Sequence, residues 1–297
     1  GTGAQDDAFC NLPEVVDAIE ADEEVVIFLV GGDPYGDDLE IFVPADVAIV
    51  GVGSPSVTGH PFSSQSTIRL TDGARLYLSN IRINGNSNYN GIECDESRVS
   101  MADVEVGDNG RWGVLVSSPC TVELRRTMVY GNESGGIRML GGSLTTDNSA
   151  IGENGNGLTG PGVRLLFAEF SALYTTIAGN DAFDADSVQC DGDVSGEIRN
   201  SIINGTQLQS IDIDCFSLSF EYNAMSSSAF ANGTNANIDE YVAAYFTDPS
   251  DGDFRIAAPP LTPFGDVAQW VEGDPRFDAD GTERPADALG FVGVDEP

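Results

Sequence analysis

The sequence predicts an all-β chain wound as a right-handed, single-stranded parallel β-helix, and three observations carry that reading. First, an opening pair of a small residue and a β-branched one recurs: Gly91-Ile92, Gly113-Val114, Gly136-Ile137, Gly162-Val163, Ser187-Val188 and Ser210-Ile211. The spacings are 22, 23, 26, 25 and 23 residues, a period that marks a repeat architecture. Second, each copy closes on asparagine, at Asn86, Asn109, Asn132, Asn154, Asn180 and Asn204, and Ile83, Val106, Val129, Ile151 and Ile177 stand three residues before the first five. Third, apolar residues alternate within each copy, as in Val99-Ser-Met101 and Val104-Glu-Val106. A period of two puts alternate side chains on opposite faces of a strand.

These runs are short and separated by Gly, Asn, Asp and Ser, which form turns. Neither the Leu-x-x-Leu-x-Leu pattern of leucine-rich repeats nor helical spacing is present. A coil with about three short strands per turn remains. Equivalent residues of successive turns would then stack roughly 4.8 Å apart. The aliphatic residues would point inward, and each asparagine amide would bond its neighbour at a turn.

In chain order, residues 1–24 are expected to supply an N-terminal cap. Asn11 is a candidate helix N-cap, Pro13 sits in the first turn, and Leu12, Val15, Val16 and Ile19 share one face. A coil needs its open end covered, because exposed strand edges recruit other chains. The coil itself is expected over 25–230, beginning with Val25–Val30, Leu39–Val43 and Val47–Val52. After Phe230 the pattern breaks, and 231–297, rich in proline, reads as an irregular C-terminal cover.

The helix, the Val25–Val30 strand, Asp33-Pro-Tyr35 and Val47-Ala-Ile-Val-Gly-Val-Gly53 resemble the opening of pectin-lyase-like β-helix proteins. Asp278-Ala-Asp-Gly-Thr-Glu-Arg-Pro285 through Gly290-Phe-Val-Gly-Val-Asp-Glu296 resembles the end of β-helix proteins with a choice-of-anchor C-terminus. The resemblance implies architecture. The superfamily holds polysaccharide lyases, hydrolases, epimerases and non-catalytic surface proteins.

Composition narrows the partners. The formal charge is −35, and all 13 basic residues are arginine. So negative a field repels nucleic acid and anionic membranes. No run of 18 apolar residues exists, so no membrane insertion is expected. Cys94/Cys120 and Cys190/Cys215 are 26 and 25 residues apart. That spacing would bring each pair into neighbouring turns, as two disulfides of an extracellular or cell-surface protein. Cys10 is left over, and His60 alone cannot build a zinc site. Asn132-Glu-Ser, Asn204-Gly-Thr and Asn232-Gly-Thr fit the glycosylation pattern, although Asn-Gly is more simply a turn.

Enzymes of this superfamily place their sites on the outer face of one sheet. Aligning the opening strands gives two outward columns: Glu93, Leu115, Arg138, Arg164, Gln189, Asp212, and Asp95, Ser117, Leu140, Leu166, Asp191, Asp214. A uronate lyase needs a cation on the carboxylate and a base for the α-proton. Arg138 and Arg164 are the candidate bases; Glu93, Asp95, Gln189 and Asp191 the candidate substrate contacts. Calcium is the candidate cofactor, though none is required, with Asp212, Asp214, Asp278 and Asp280 as its ligands. A hydrolase would pair Glu153 with Asp181, Asp184 or Asp186 across roughly 5–9.5 Å. The paired-Asp, Gly-His and Arg-x-Lys strands of β-helix polygalacturonases and the Asp-Pro-His-Asp motif of epimerases are absent, as is any lysine base. The leading expectation is therefore a monomeric, non-catalytic protein that binds polysaccharide, cell-surface glycans or another surface molecule. The alternative is a calcium-assisted polysaccharide lyase.

Overall fold

A computed structural model describes residues 12–32, 34–36, 38–60, 64–156, 160–182, 187–205, 213–226, 234–238, 242–257, 264–285 and 289–294. The chain is a parallel β-helix. Three strands make one turn, as in Ile92–Cys94, Arg98–Ala102 and Glu105–Gly107. Their repeats build three faces, here called first, second and third in that order. In the middle turns the first two strands fuse into the long strands Gly135–Asp147 and Val163–Leu173, which joins the first and second faces into one sheet.

The register follows the repeat. Ile92, Val114, Ile137, Val163 and Val188 stack on the first face. On the third face Val57, Ile83, Val106, Val129, Ile151, Ile177, Ile203 and Met225 form a column of fully buried side chains. Alternation along each strand sends one row into this core and the next outward, where on the third face Ala150, Ala178 and Ile202 are buried in turn by a second layer.

The asparagine ladder runs beside that column. Asn86 N donates to Asn109 Oδ1 at 3.3 Å, Asn132 N to Asn154 Oδ1 at 3.1 Å, and Asn154 N to Asn180 Oδ1 at 3.1 Å. Asn204 does not belong to it. Ile203 stacks on Ile177, so Asn204 falls under Ala178, two positions short of the ladder site. Asn132 and Asn204 are buried, which withdraws both from glycosyl transfer in the folded state, and Asn232 lies outside the described residues.

A second polar ladder marks the corner between the second and third faces. Thr127 N donates to Ser149 Oγ, Thr175 N to Ser201 Oγ, and Ser201 N to Asn223 Oδ1. Just before it, Asn80, Asp103, Arg126, Asn148, Tyr174, Asn200 and Tyr222 all adopt positive φ. One left-handed residue per turn bends the chain there, and all seven are polar or aromatic, none glycine.

Both disulfides form, Cys94–Cys120 with Cα atoms 6.3 Å apart and Cys190–Cys215 at 4.9 Å. The second corrects the register of the sixth turn. Gln189 stacks on Asp214 rather than on Asp212, because the bridge sets an offset of 25 residues between turns. Asp212, Cys10 and Asn11 lie outside the described residues.

The described helix is Leu12–Asp17, shorter than residues 11–24, and it packs on the strand Leu39–Ile41 with Leu12 and Val16 buried. Asp22 at φ 66° and the strand from Glu24 leave no room for further helical turns.

The described C-terminal residues from 242 on lie along the outside of the third face. The rung Ala236–Asn237 still belongs to the coil. Beyond it a small antiparallel pair, Phe246–Asp248 with Asp253–Ile256, begins the covering segment. Phe254, Phe264, Val292 and Val294 build a second core with Tyr130, Ala150, Ala178 and Ile202 of the coil. Small side chains make the seat: a Cβ on Gly152 would stand 2.0 Å from Phe254 Cζ. Val294 N donates to Thr176 Oγ1 at 3.1 Å, Gly293 N to Asn200 O at 2.9 Å, and the Arg284 guanidinium stacks 3.8 Å over Tyr174.

Candidate functional site

On the first face the outward row is Glu40, Arg69, Glu93, Leu115, Arg138, Arg164, Gln189 and Asp214. Strand pairing puts Arg138 directly beside Arg164, at the spacing of adjacent strands. Arg164 Nε donates to Asp191 Oδ2 at 2.7 Å. Arg138 is exposed and forms no ion pair among the described residues. Earlier in the row, Arg69 sits between Glu40 at 2.9 Å and Glu93 at 4.0 Å, and Ser66 Oγ donates to Glu93 Oε2 at 2.8 Å. Glu93 is thus held at the Arg69 end of the row, and Leu115 separates it from Arg138.

The remaining expected residues scatter. Asp95 sits at the corner after Cys94, its amide donating to Leu70 O. Leu166 pairs with Asp191, so that part of the second column holds, whereas Asp214 moves to the first. Asp278 is buried in the covering segment, where its Oδ1 accepts from Thr282 N, four residues on, at 2.7 Å. Asp280 faces Arg255 at 3.4 Å. Among the described residues no three His, Cys, Asp or Glu gather where a metal ion could be held. Asp184 and Asp186 lie outside the described residues, while a backbone bridge joins Gly155 to Asp181, setting the Glu153 and Asp181 turns side by side.

The second face carries a feature that the columns missed. Its outward row runs Val26, Ala48, Tyr77, Ser100, Glu123. Ala48 is the short member, so Val26 and Tyr77 stand as walls of a shallow groove that Asp46, Arg75, Arg98 and Ser100 also line. Tyr77 is 43% exposed. Arg75 is ion-paired with Asp46, and Glu123 takes bonds from Arg98 Nη2 at 2.6 Å and Ser100 Oγ at 2.7 Å. The hydrogen bond from Arg98 holds the Glu123 carboxyl below its ordinary range. The signal in the sequence was alanine between Val26 and Tyr77 in one outward row, readable only once the register was known.

Where the covering segment meets the third face, burial raises the Glu105 and Asp108 carboxyls, and Asp251 adds to both. Burial likewise pushes the Tyr130 hydroxyl up to about 12. These groups belong to the docking seam.

Fold and surface together define a parallel β-helix protein of the pectate-lyase architecture. No family model matches the chain, and no curated protein does. Among solved structures, a crystal structure of the pectate lyase Pel9A superimposes with a TM-score of 0.56 at 12% identity. The match covers 96% of this chain and 92% of that one. At such identity it shows the fold alone. No helix among the described residues is long and apolar enough to cross a membrane.

Proposed function

We propose that the chain is a secreted or surface-associated β-helix protein that binds a neutral polysaccharide or glycan along its outer faces without cleaving it. The observation that carries this reading is the groove on the second face. Tyr77 offers a ring for the apolar face of a sugar, Ala48 a floor, and Asp46, Arg75, Arg98 and Ser100 hydrogen-bonding groups at strand spacing. The charge of −35 disfavours polyanionic ligands and so supports a neutral one. Two disulfides support an oxidising compartment, and the resemblance of the tail to choice-of-anchor proteins supports a surface setting. Affinity electrophoresis through gels carrying neutral polysaccharides tests it. Retardation by at least one polymer, weakened about tenfold by Tyr77→Ala and unchanged by Arg138→Ala, is the expected result. Equal retardation of the wild type and Tyr77→Ala would remove the groove from the reading.

A second reading, a polysaccharide lyase, has Arg138 in its favour: an exposed guanidinium beside Arg164 with no described ion pair. Incubation with pectate and alginate, with and without calcium, should give no rise in absorbance near 235 nm if the binding reading holds. A rise lost in Arg138→Ala would transfer the site to the first face.

A further inference from the structure

We propose that the open edge of the strand Glu24–Val30 is a docking site for an extended, lysine- or arginine-bearing apolar segment of a partner protein, added to the sheet as a further strand. This strand ends its sheet and pairs, among the described residues, with Asp46–Val52 alone. The helix Leu12–Asp17 caps the same end of the coil but packs on the first-face strand Leu39–Ile41.

The direction of the backbone groups follows from two bonds. Asp46 N donates to Glu23 O, and Gly31 N donates to Val52 O. In a parallel ladder the groups of alternate residues point to the same side, so those of Glu24, Val26, Phe28 and Val30 face outward from the sheet edge. Val30 is already served, because its N–H and C=O both bond the Tyr35 hydroxyl, at 3.1 and 3.0 Å. Glu24, Val26 and Phe28 keep theirs free among the described residues, a template for main-chain pairing. Their neighbourhood is apolar: Val26, Phe28 and Val30 are 59%, 66% and 62% exposed. Glu24–Val30 itself holds no lysine, no proline and no bulge, three of the devices that blunt a sheet edge.

Charge selects the occupant. Residues 1–68 hold thirteen Asp and Glu and neither Lys nor Arg. Asp22, Glu23 and Glu24 stand at the start of the strand itself. A second copy would bring an equally acidic end against this one. A cationic segment is attracted at long range and gains the open hydrogen bonds on arrival.

The test uses a fluorescent nine-residue peptide of alternating valine and lysine, followed by anisotropy against the wild-type protein and Phe28→Pro. The Phe28 amide faces the open side, so proline there removes no bond to the neighbouring strand. Saturable binding that weakens at least about tenfold in Phe28→Pro, with circular dichroism unchanged, is expected. Should Phe28→Pro fail to fold, Phe28→Lys, which keeps the backbone donor and adds a repelling charge, is expected to weaken binding equally. Absence of saturable binding overturns the proposal, as does equal binding of a valine–glutamate peptide or indifference to both variants. A wild-type dimer in sedimentation that Phe28→Lys dissolves assigns the edge to a second copy and overturns it. Binding seen only after removal of residues 1–11 assigns it to the chain's own start, with the same consequence.

Discussion

Asn109 donates both its backbone amide, at 3.2 Å, and its side-chain amide, at 2.9 Å, to the single Oδ1 of Asn132. Asn132 in turn gives both of its amides to Asn154 Oδ1 and a further bond to Val106 O. All three side chains are buried. Removing one rung leaves donors above it without an acceptor, at roughly 1–3 kcal/mol for an unsatisfied buried group. Asn132→Ala should therefore lower stability by about that much in urea unfolding. An unchanged midpoint would sink the ladder as a stabilising device.

Cys94 and Cys120 close a loop with a separation of 26 residues. Loop-closure entropy of that size is worth about 3.5 kcal/mol. The double variant Cys94→Ser with Cys120→Ser should lose a comparable amount, and dithiothreitol should bring the wild type down toward it. Equal midpoints for oxidised and reduced protein would contradict this.

The covering segment is fastened by Arg199 and Asp274, whose side chains are 15% and 3% exposed, with Arg199 Nη1 donating to Asp274 Oδ2 at 2.8 Å. Asn200 Nδ2 adds a bond to Gln269 O. Asp274→Ala strands a buried guanidinium and should cost about 3–5 kcal/mol. Limited proteolysis should then cut within 264–285 first. Resistance equal to the wild type would show that the segment is held elsewhere.

Burial raises the Asp147 carboxyl above its ordinary 3.8, against the opposing pull of Arg125, Arg284 and Arg126. Its Oδ1 is buried without a hydrogen-bond partner. Because the folded value is the higher one, folding takes up a proton in the window between the unfolded value and the raised one. This group's stabilising contribution is complete below that window and lost as pH rises through it. Asp147→Asn should flatten the fall in melting temperature across that window. An identical slope in wild type and variant would refute the assignment.

The coil was legible because its rules are local and repeated. Gly91-Ile92 and its four successors, and the aliphatic residue three before each of the five asparagines, each sit one turn apart, so spacing alone gives the register. Reading failed where the spacing slipped. Asn204 looked like the sixth ladder residue, yet Ile203 sets the phase and puts it in the outward row. Asp212 looked like the neighbour of Gln189, but the Cys190–Cys215 bridge puts Asp214 there. The Thr127, Ser149, Thr175, Ser201 column was visible as a hydroxyl residue before four successive third-face strands, a weaker signal than asparagine.

By itself, then, the sequence determined the winding, the inward columns, the asparagine ladder and the pairing of the four coil cysteines. Each depends on residues a fixed distance apart along the chain. Only the tertiary structure decided that 242–257, 264–285 and 289–294 lie along the third face, that Ala48 opens a groove beside Tyr77, and that among the described residues Arg164 is tied to Asp191 while Arg138 is not. Those outcomes depend on which side chains from distant turns, or from a segment with no repeat, meet in space. Such meetings are set by shape and burial across the whole fold, and no period in the chain encodes them.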